Sequence, residues 1–254
     1  MQTKFRILIV FLLFSAIVFF VCNKDQGQRP AHAKVSATSF GLAVRATVGE
    51  ANLKYDSLYH LARGRAITIT DFRYYISNIK AIRDDGTEQQ AACGVVLVNP
   101  DQKNYDFGTI PAGSYKGLKF TIGLDSNTNH GDPTVFNAGN PLAIQTPSMH
   151  WDWNSGYLFM KIEGKVDTTA KCSGSLAVEF FYHLGMDTMK RVIEIPVTFS
   201  VQAGKSETVR LKVDLARMLN VVDMRHETAT HSFDNVPLAR KIADSWQASF
   251  SLDQ

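Results

Sequence analysis

Ser39-Phe40-Gly41-Leu42-Ala43-Val44-Arg45-Ala46-Thr47-Val48 sets Phe40, Leu42, Val44, Ala46 and Val48 at alternate positions. Side chains of an extended segment point alternately to opposite faces, so this spacing predicts a strand with one face buried. The period of two continues outward from there. Ile67-Thr68-Ile69-Thr70 and the run from Tyr74 to Arg83 are rich in β-branched and aromatic residues, and Asp84-Asp85-Gly86 ends the second run with a hairpin signal. Gly94 to Val98 reads as a short strand buried on both faces. Leu118, Phe120 and Ile122 alternate after the turn Pro111-Ala112-Gly113. Tyr157 to Ile162, Leu176 to Tyr182, Val192 to Val201 and Thr208 to Val213 complete the series. Many short strands without strand–helix alternation predict an all-β fold, an antiparallel β-sandwich with long loops. Near the C-terminus Leu238, Ile242, Trp246 and Phe250 recur every fourth residue, which predicts a C-terminal helix on the sandwich with Pro237 in its first turn.

Ahead of the strands the chain is of another kind. Lys4 and Arg6 precede an apolar run from Ile7 to Val21 that only Ser15 interrupts, the pattern of a secretory signal. The run is shorter than the roughly 20 residues a spanning helix needs. Cys22 follows at once, and Asn23-Lys24-Asp25 is abruptly polar. A cysteine at that junction predicts a lipoprotein cut before Cys22 and acylated on it, although Phe20 and Val21 are larger than the residues such cleavage prefers. An uncleaved N-terminal anchor is the alternative. Residues 1–21 thus form the signal peptide, residues 22–38 a flexible polar tether, and residues 39–254 one domain. The expected location is the periplasm or outer membrane, with the lipid as anchor.

Charge and cysteines bound the function. Loss of Lys4 and Arg6 takes the formal net charge from +3 to +1, and no Lys/Arg cluster interleaves with aromatics as a nucleic-acid groove requires. If Cys22 carries lipid, Cys93 and Cys172 remain of the three cysteines. An even pair in an oxidising compartment usually bonds, and this disulfide would add about 4–5 kcal/mol in the chain-entropy model. Two separate buried thiols are the alternative.

Three segments concentrate unusual residues: Asn129-His130-Gly131-Asp132-Pro133 within the long connection 125–148, His150-Trp151-Asp152-Trp153-Asn154-Ser155-Gly156-Tyr157, and Phe181-Tyr182-His183-Leu184-Gly185. Binding residues favour such strand ends and loops. Neutral imidazole is the commonest metal ligand, but no HExxH, CxxC or His-x-His is present, so a metal site needs distant segments. His226 and His231, five apart, are not placed on one face by their spacing, and His60 has no supporting neighbours. Trp151 and Trp153, two apart, would share one face of a strand. They read as core anchors, as a glycan-stacking surface, or as a redox-modified aromatic beside a metal. No nucleophile elbow and no phosphate loop appear, and the chain is not expected to be an enzyme.

Several blocks resemble MbnP-like proteins: Phe72-Arg73-Tyr74-Tyr75-Ile76-Ser77-Asn78-Ile79 with Asp85-Gly86, Ile110 to Leu118, Gly123-Leu124-Asp125, Asn129 to Pro133, Met149 to Phe159 with its Trp-x-Trp, and Tyr182-His183-Leu184-Gly185. They occur in the family's order over roughly residues 40–250. The resemblance implies an exported β-rich protein, linked to copper and associated with a dihaem peroxidase-like partner. It also implies that in such a partnership a tryptophan can be oxidised to kynurenine. Residue by residue, it implies His130 and His183 as metal ligands and Trp151 or Trp153 as the modified or metal-adjacent aromatic. His150 and Asp132 are secondary candidates. The competing expectation is a non-metal lipoprotein that holds a protein or glycan.

Overall fold

The computed structural model describes residues 39–151 and 156–253. The expected signal peptide, Cys22, the expected tether, and Asp152, Trp153, Asn154 and Ser155 of the Trp-x-Trp block lie outside the described residues. In chain order the strands are β1 (Ser39–Val48), β2 (Ala51–Asn52), β3 (Tyr59–His60), β4 (Ala66–Arg83), β5 (Glu88–Gln90), β6 (Val95–Val98) and β7 (Asn104–Thr109). They continue as β8 (Gly113–Ile122), β9 (Met160–Val166), β10 (Val178–Leu184), β11 (Arg191–Val201), β12 (Glu207–Asp214), β13 (Ala229–Thr230) and β14 (Phe250–Leu252). The α-helices are short: α1 (Ser126–Asn129), α2 (Leu215–Leu219), α3 (Val236–Asp244) and α4 (Trp246–Ser249).

The strands form two sheets, as the period of two predicts. One runs β14-β12-β1-β2 with β7 also on β1. The other runs β11-β8-β4-β9-β10-β13, with β3, β5 and β6 along β4. Most pairings are antiparallel, but β1 with β12 and β10 with β13 are parallel. Phe40, Leu42 and Val44 of β1 point into the core as their alternation requires. Aromatic rings join the layers: Phe250 packs edge-on to Tyr74 at 5.7 Å and to Phe120 at 5.5 Å, and Phe40 stacks on Phe199 at 5.8 Å. Such ring pairs add about 0.5–1.5 kcal/mol each beyond the area they bury.

Three local expectations change. The runs at Ile67 and Tyr74 are one strand, β4, because register shifts after Ile69 and after Ser77 absorb its irregular alternation. The strand expected to be buried on both faces, now β6, fully buries only Val98. The expected C-terminal helix is broken. Pro237 stands in the first turn as anticipated, behind an N-cap Asn235, but α3 ends at Ser245, whose hydroxyl donates to Ile242 O at 2.6 Å. Trp246 opens a separate turn and Phe250 belongs to β14.

The expected disulfide is absent: Cys93 and Cys172 are not joined. Their positions along β4 explain it. Cys93 precedes β6, next to Gly94, whose carbonyl accepts from Asn78 N. Cys172 lies in the β9–β10 connection, which leaves β9 beside Ala66, where Asp167 N donates to Ala66 O. From Ala66 to Asn78 β4 rises roughly 35–40 Å at about 3.3 Å per residue. A disulfide tolerates Cα separations of only about 7 Å.

Candidate functional site

The long connection begins with α1, capped by Asp125, whose carboxylate accepts from Thr128 N at 3.0 Å and Thr128 Oγ1 at 2.7 Å. That cap seats Asn129, which is 1% exposed. Asn129 spans two segments: its Nδ2 donates to Asp187 at 2.9 Å and its Oδ1 accepts from Tyr157 N at 2.9 Å. The adjacent His130 is half exposed, with Nε2 3.6 Å from Asp187 Oδ2. Asp132 caps the turn that follows it, accepting from Thr134 N at 2.8 Å and Thr134 Oγ1 at 2.7 Å, and those bonds hold its carboxyl below the usual range. Asp132 therefore serves its own turn.

His150 and Tyr157 form an isolated bridge, with rings edge-on at 4.9 Å. Gly156 N donates to His150 Nε2 at 3.3 Å, which uses that lone pair. Trp151 follows outside any strand and is 5% exposed. Its indole lies on Gly185 and its ring centroid is 4.9 Å from that of Phe233. His130, Trp151, Met186, Asp187 and Phe233 line one depression.

His183 lies elsewhere. β4, β9 and β10 align Arg73, Lys161 and His183 in one cross-strand row, and Asp71, Glu163 and Phe181 in the next. The rows interlock. Asp71 accepts from Arg73 at 2.5 Å and Lys161 at 3.1 Å; Glu163 accepts from Lys161 at 3.0 Å and His183 Nε2 at 2.7 Å. Lys161 is buried, so two carboxylates compensate its charge as burial demands. The bond from His183 and then the ammonium of Lys161 outweigh burial and bring the Glu163 carboxyl down to about 2. Arg73 also donates to Pro147 O at 2.8 Å, which ties the end of the long connection to this face.

The structure brings His183 to His231, not to His130. The two rings stand 5.2 Å apart at 72°. β13 places His231 beside β10, through Phe181↔Ala229 and Tyr182↔Thr230. Ser232 Oγ then donates to His183 O at 3.0 Å and accepts from Gly185 N at 3.1 Å. His231 Nδ1 lies 3.1 Å from Asp234 Oδ2, while Asp234 also accepts from His231 N at 2.9 Å and Thr230 Oγ1 at 3.0 Å. Burial pushes the Asp234 carboxyl up, but these bonds prevail and hold it low. Sequence reasoning does not single out His231, because a two-residue strand leaves no period. The signal it does leave is the Thr230/His231–Asp234 spacing of a side-chain-closed turn.

Among the described residues no three His, Cys, Asp or Glu side chains gather as a metal-binding group. Nor is any helix among them long and apolar enough to cross a membrane.

A family model described as MbnP matches residues 37–235. The solved structure of MbnP from Methylosinus trichosporium superposes with a TM-score of 0.54 at 18% identity, over 76% of this chain and 83% of that one. At that identity the likeness speaks to the fold. No curated protein gives a significant match.

Proposed function

The chain belongs to the MbnP family, and from that premise we propose that it is an exported envelope protein that binds copper through imidazoles beside a tryptophan. The tryptophan, Trp151 or Trp153, is oxidised to kynurenine by a dihaem peroxidase-like partner. The chain acts as a metal-binding protein rather than a catalyst, located in the periplasm or at the outer membrane and anchored by lipid on Cys22.

The observation that supports this reading is the position of Trp151. Its indole rests on Gly185, two residues beyond His183, and on Phe233, two residues beyond His231. It shares its depression with His130. One buried aromatic thus adjoins every segment that carries a candidate imidazole. A donor set of imidazoles without thiolate suits copper by its chemistry. His130 and His183 line separate depressions, so they are not assigned as one ligand pair. When bound, copper supplies a redox-active Lewis acid. The chain's own part is to hold its imidazoles by carboxylates and to keep the indole largely from water.

The experiment is copper titration of protein purified from its own envelope, with the masses of peptides containing Trp151 and Trp153. Uptake of one equivalent, with a mass change on one tryptophan when the partner is co-expressed, is expected. No uptake by the purified protein removes the copper reading. Copper uptake with both tryptophans intact removes the kynurenine part alone.

A further inference from the structure

His183 and His231 are prepared in a way that no other histidines among the described residues share. Each ring has one nitrogen against a carboxylate and a neighbouring imidazole across an edge. His183 Nε2 lies 2.7 Å from Glu163 Oε1 and His231 Nδ1 lies 3.1 Å from Asp234 Oδ2, and a carboxylate oxygen at hydrogen-bond distance accepts, so the ring nitrogens facing them carry the hydrogens. In the neutral rings this leaves the lone pairs on His183 Nδ1 and His231 Nε2. A carboxylate behind a ligating imidazole fixes its tautomer and raises its basicity.

The spacing agrees with a shared ion. A metal–nitrogen distance of about 2.0 Å, with the ring centre about 1.1 Å further back, puts two imidazoles on a tetrahedral ion roughly 5 Å apart, centre to centre. The observed separation is 5.2 Å. Phe181 walls one side, 5.3 Å from His183 and 4.8 Å from His231. The other side opens into a depression of about 290 Å³. His231 is 38% exposed and His183 16%, so an ion has access. The strand pairing of β10 with β13 and the Ser232 hydroxyl join the two backbones, so the pair exists before any ion arrives.

We propose that His183 Nδ1 and His231 Nε2 are the two protein ligands of a late first-row transition-metal ion, copper or zinc, with water in the remaining positions. Two neutral nitrogens exclude the oxygen-seeking Mg²⁺ and Ca²⁺. The inference rests on the copper reading above and names its ligands.

The test uses the mature chain with Cu²⁺ or Zn²⁺, each in competition with a chelator of known affinity. Wild type, His231→Gln, His183→Gln and His130→Gln are compared, with circular dichroism confirming the fold. One equivalent is expected in wild type. His231→Gln and His183→Gln should each weaken binding at least about tenfold, and His130→Gln should not. His231 is the more exposed residue, so its variant alone decides the outcome if His183→Gln misfolds. Copper uptake unchanged in His231→Gln overturns the pair and leaves the copper reading. Zinc uptake that depends on the pair, without copper uptake, overturns the copper reading and supports the pair. A wild type that binds neither ion overturns both.

Discussion

The indole of Trp151 occupies the space that a side chain at Gly185 would need: a Cβ at position 185 would overlap Cη2 and Cζ3 of the ring. The Leu-Gly after His183 is therefore a seat for the tryptophan, and it couples the end of β10 to the segment that follows the long connection.

Gly185→Ala should destabilise the fold by about 1–3 kcal/mol, the usual cost of overpacking. It should also raise the exposure of Trp151. Chemical denaturation with tryptophan fluorescence measures both. Wild-type stability with an unshifted emission maximum would show that the ring rests elsewhere.

Acid should weaken the fold through Glu163. Its carboxyl falls from 4.5 in the unfolded chain to about 2 in the folded one. A lowered folded value contributes stability above the unfolded value and loses it as pH falls through the folded one. The contribution is therefore whole above about pH 4.5 and gone near pH 2. Glu163→Gln should flatten the stability curve in that window. A variant whose slope there equals that of wild type would count against the His183–Glu163–Lys161 arrangement.

Both domain cysteines should react with a thiol reagent without prior reduction, since each is partly exposed and they are not joined. Reductant should leave the melting temperature unchanged. Mass spectrometry of a non-reduced digest decides the matter: a peptide linking Cys93 to Cys172 would contradict the structure.

Cys22→Ser should release the protein from membranes or halt its maturation. Membrane fractionation and intact mass check this. A variant that stays membrane-bound at its precursor mass would favour the uncleaved anchor.

The strands were legible because burial on one face writes itself into alternate residues, as at Phe40, Leu42 and Val44. The broken C-terminal helix was not. Leu238, Ile242 and Trp246 reach the core from two helices and Phe250 reaches it from a strand, so four residues with one destination mimic a single helix face. The cysteines misled because an even number says nothing about distance, and the length of β4 keeps the two apart. At the candidate site, His183 and Trp151 were visible in their motifs. The partner His231 was not, because the parallel pairing of β10 with β13 is a tertiary event that leaves no local pattern.

The parallel pairing of β1 with β12 has a consequence for how the chain is made. Phe40 faces Glu207 in that ladder, so the first strand waits for a partner 167 positions later. β14, at the far end of the chain, closes the other edge of β12. Loop closure on that scale is slow, and it cannot begin while the second half of the polypeptide is still on the ribosome. That sheet therefore stays open until synthesis is nearly complete, with β1 exposed on the emerging chain long before β12 and β14 arrive to cover it.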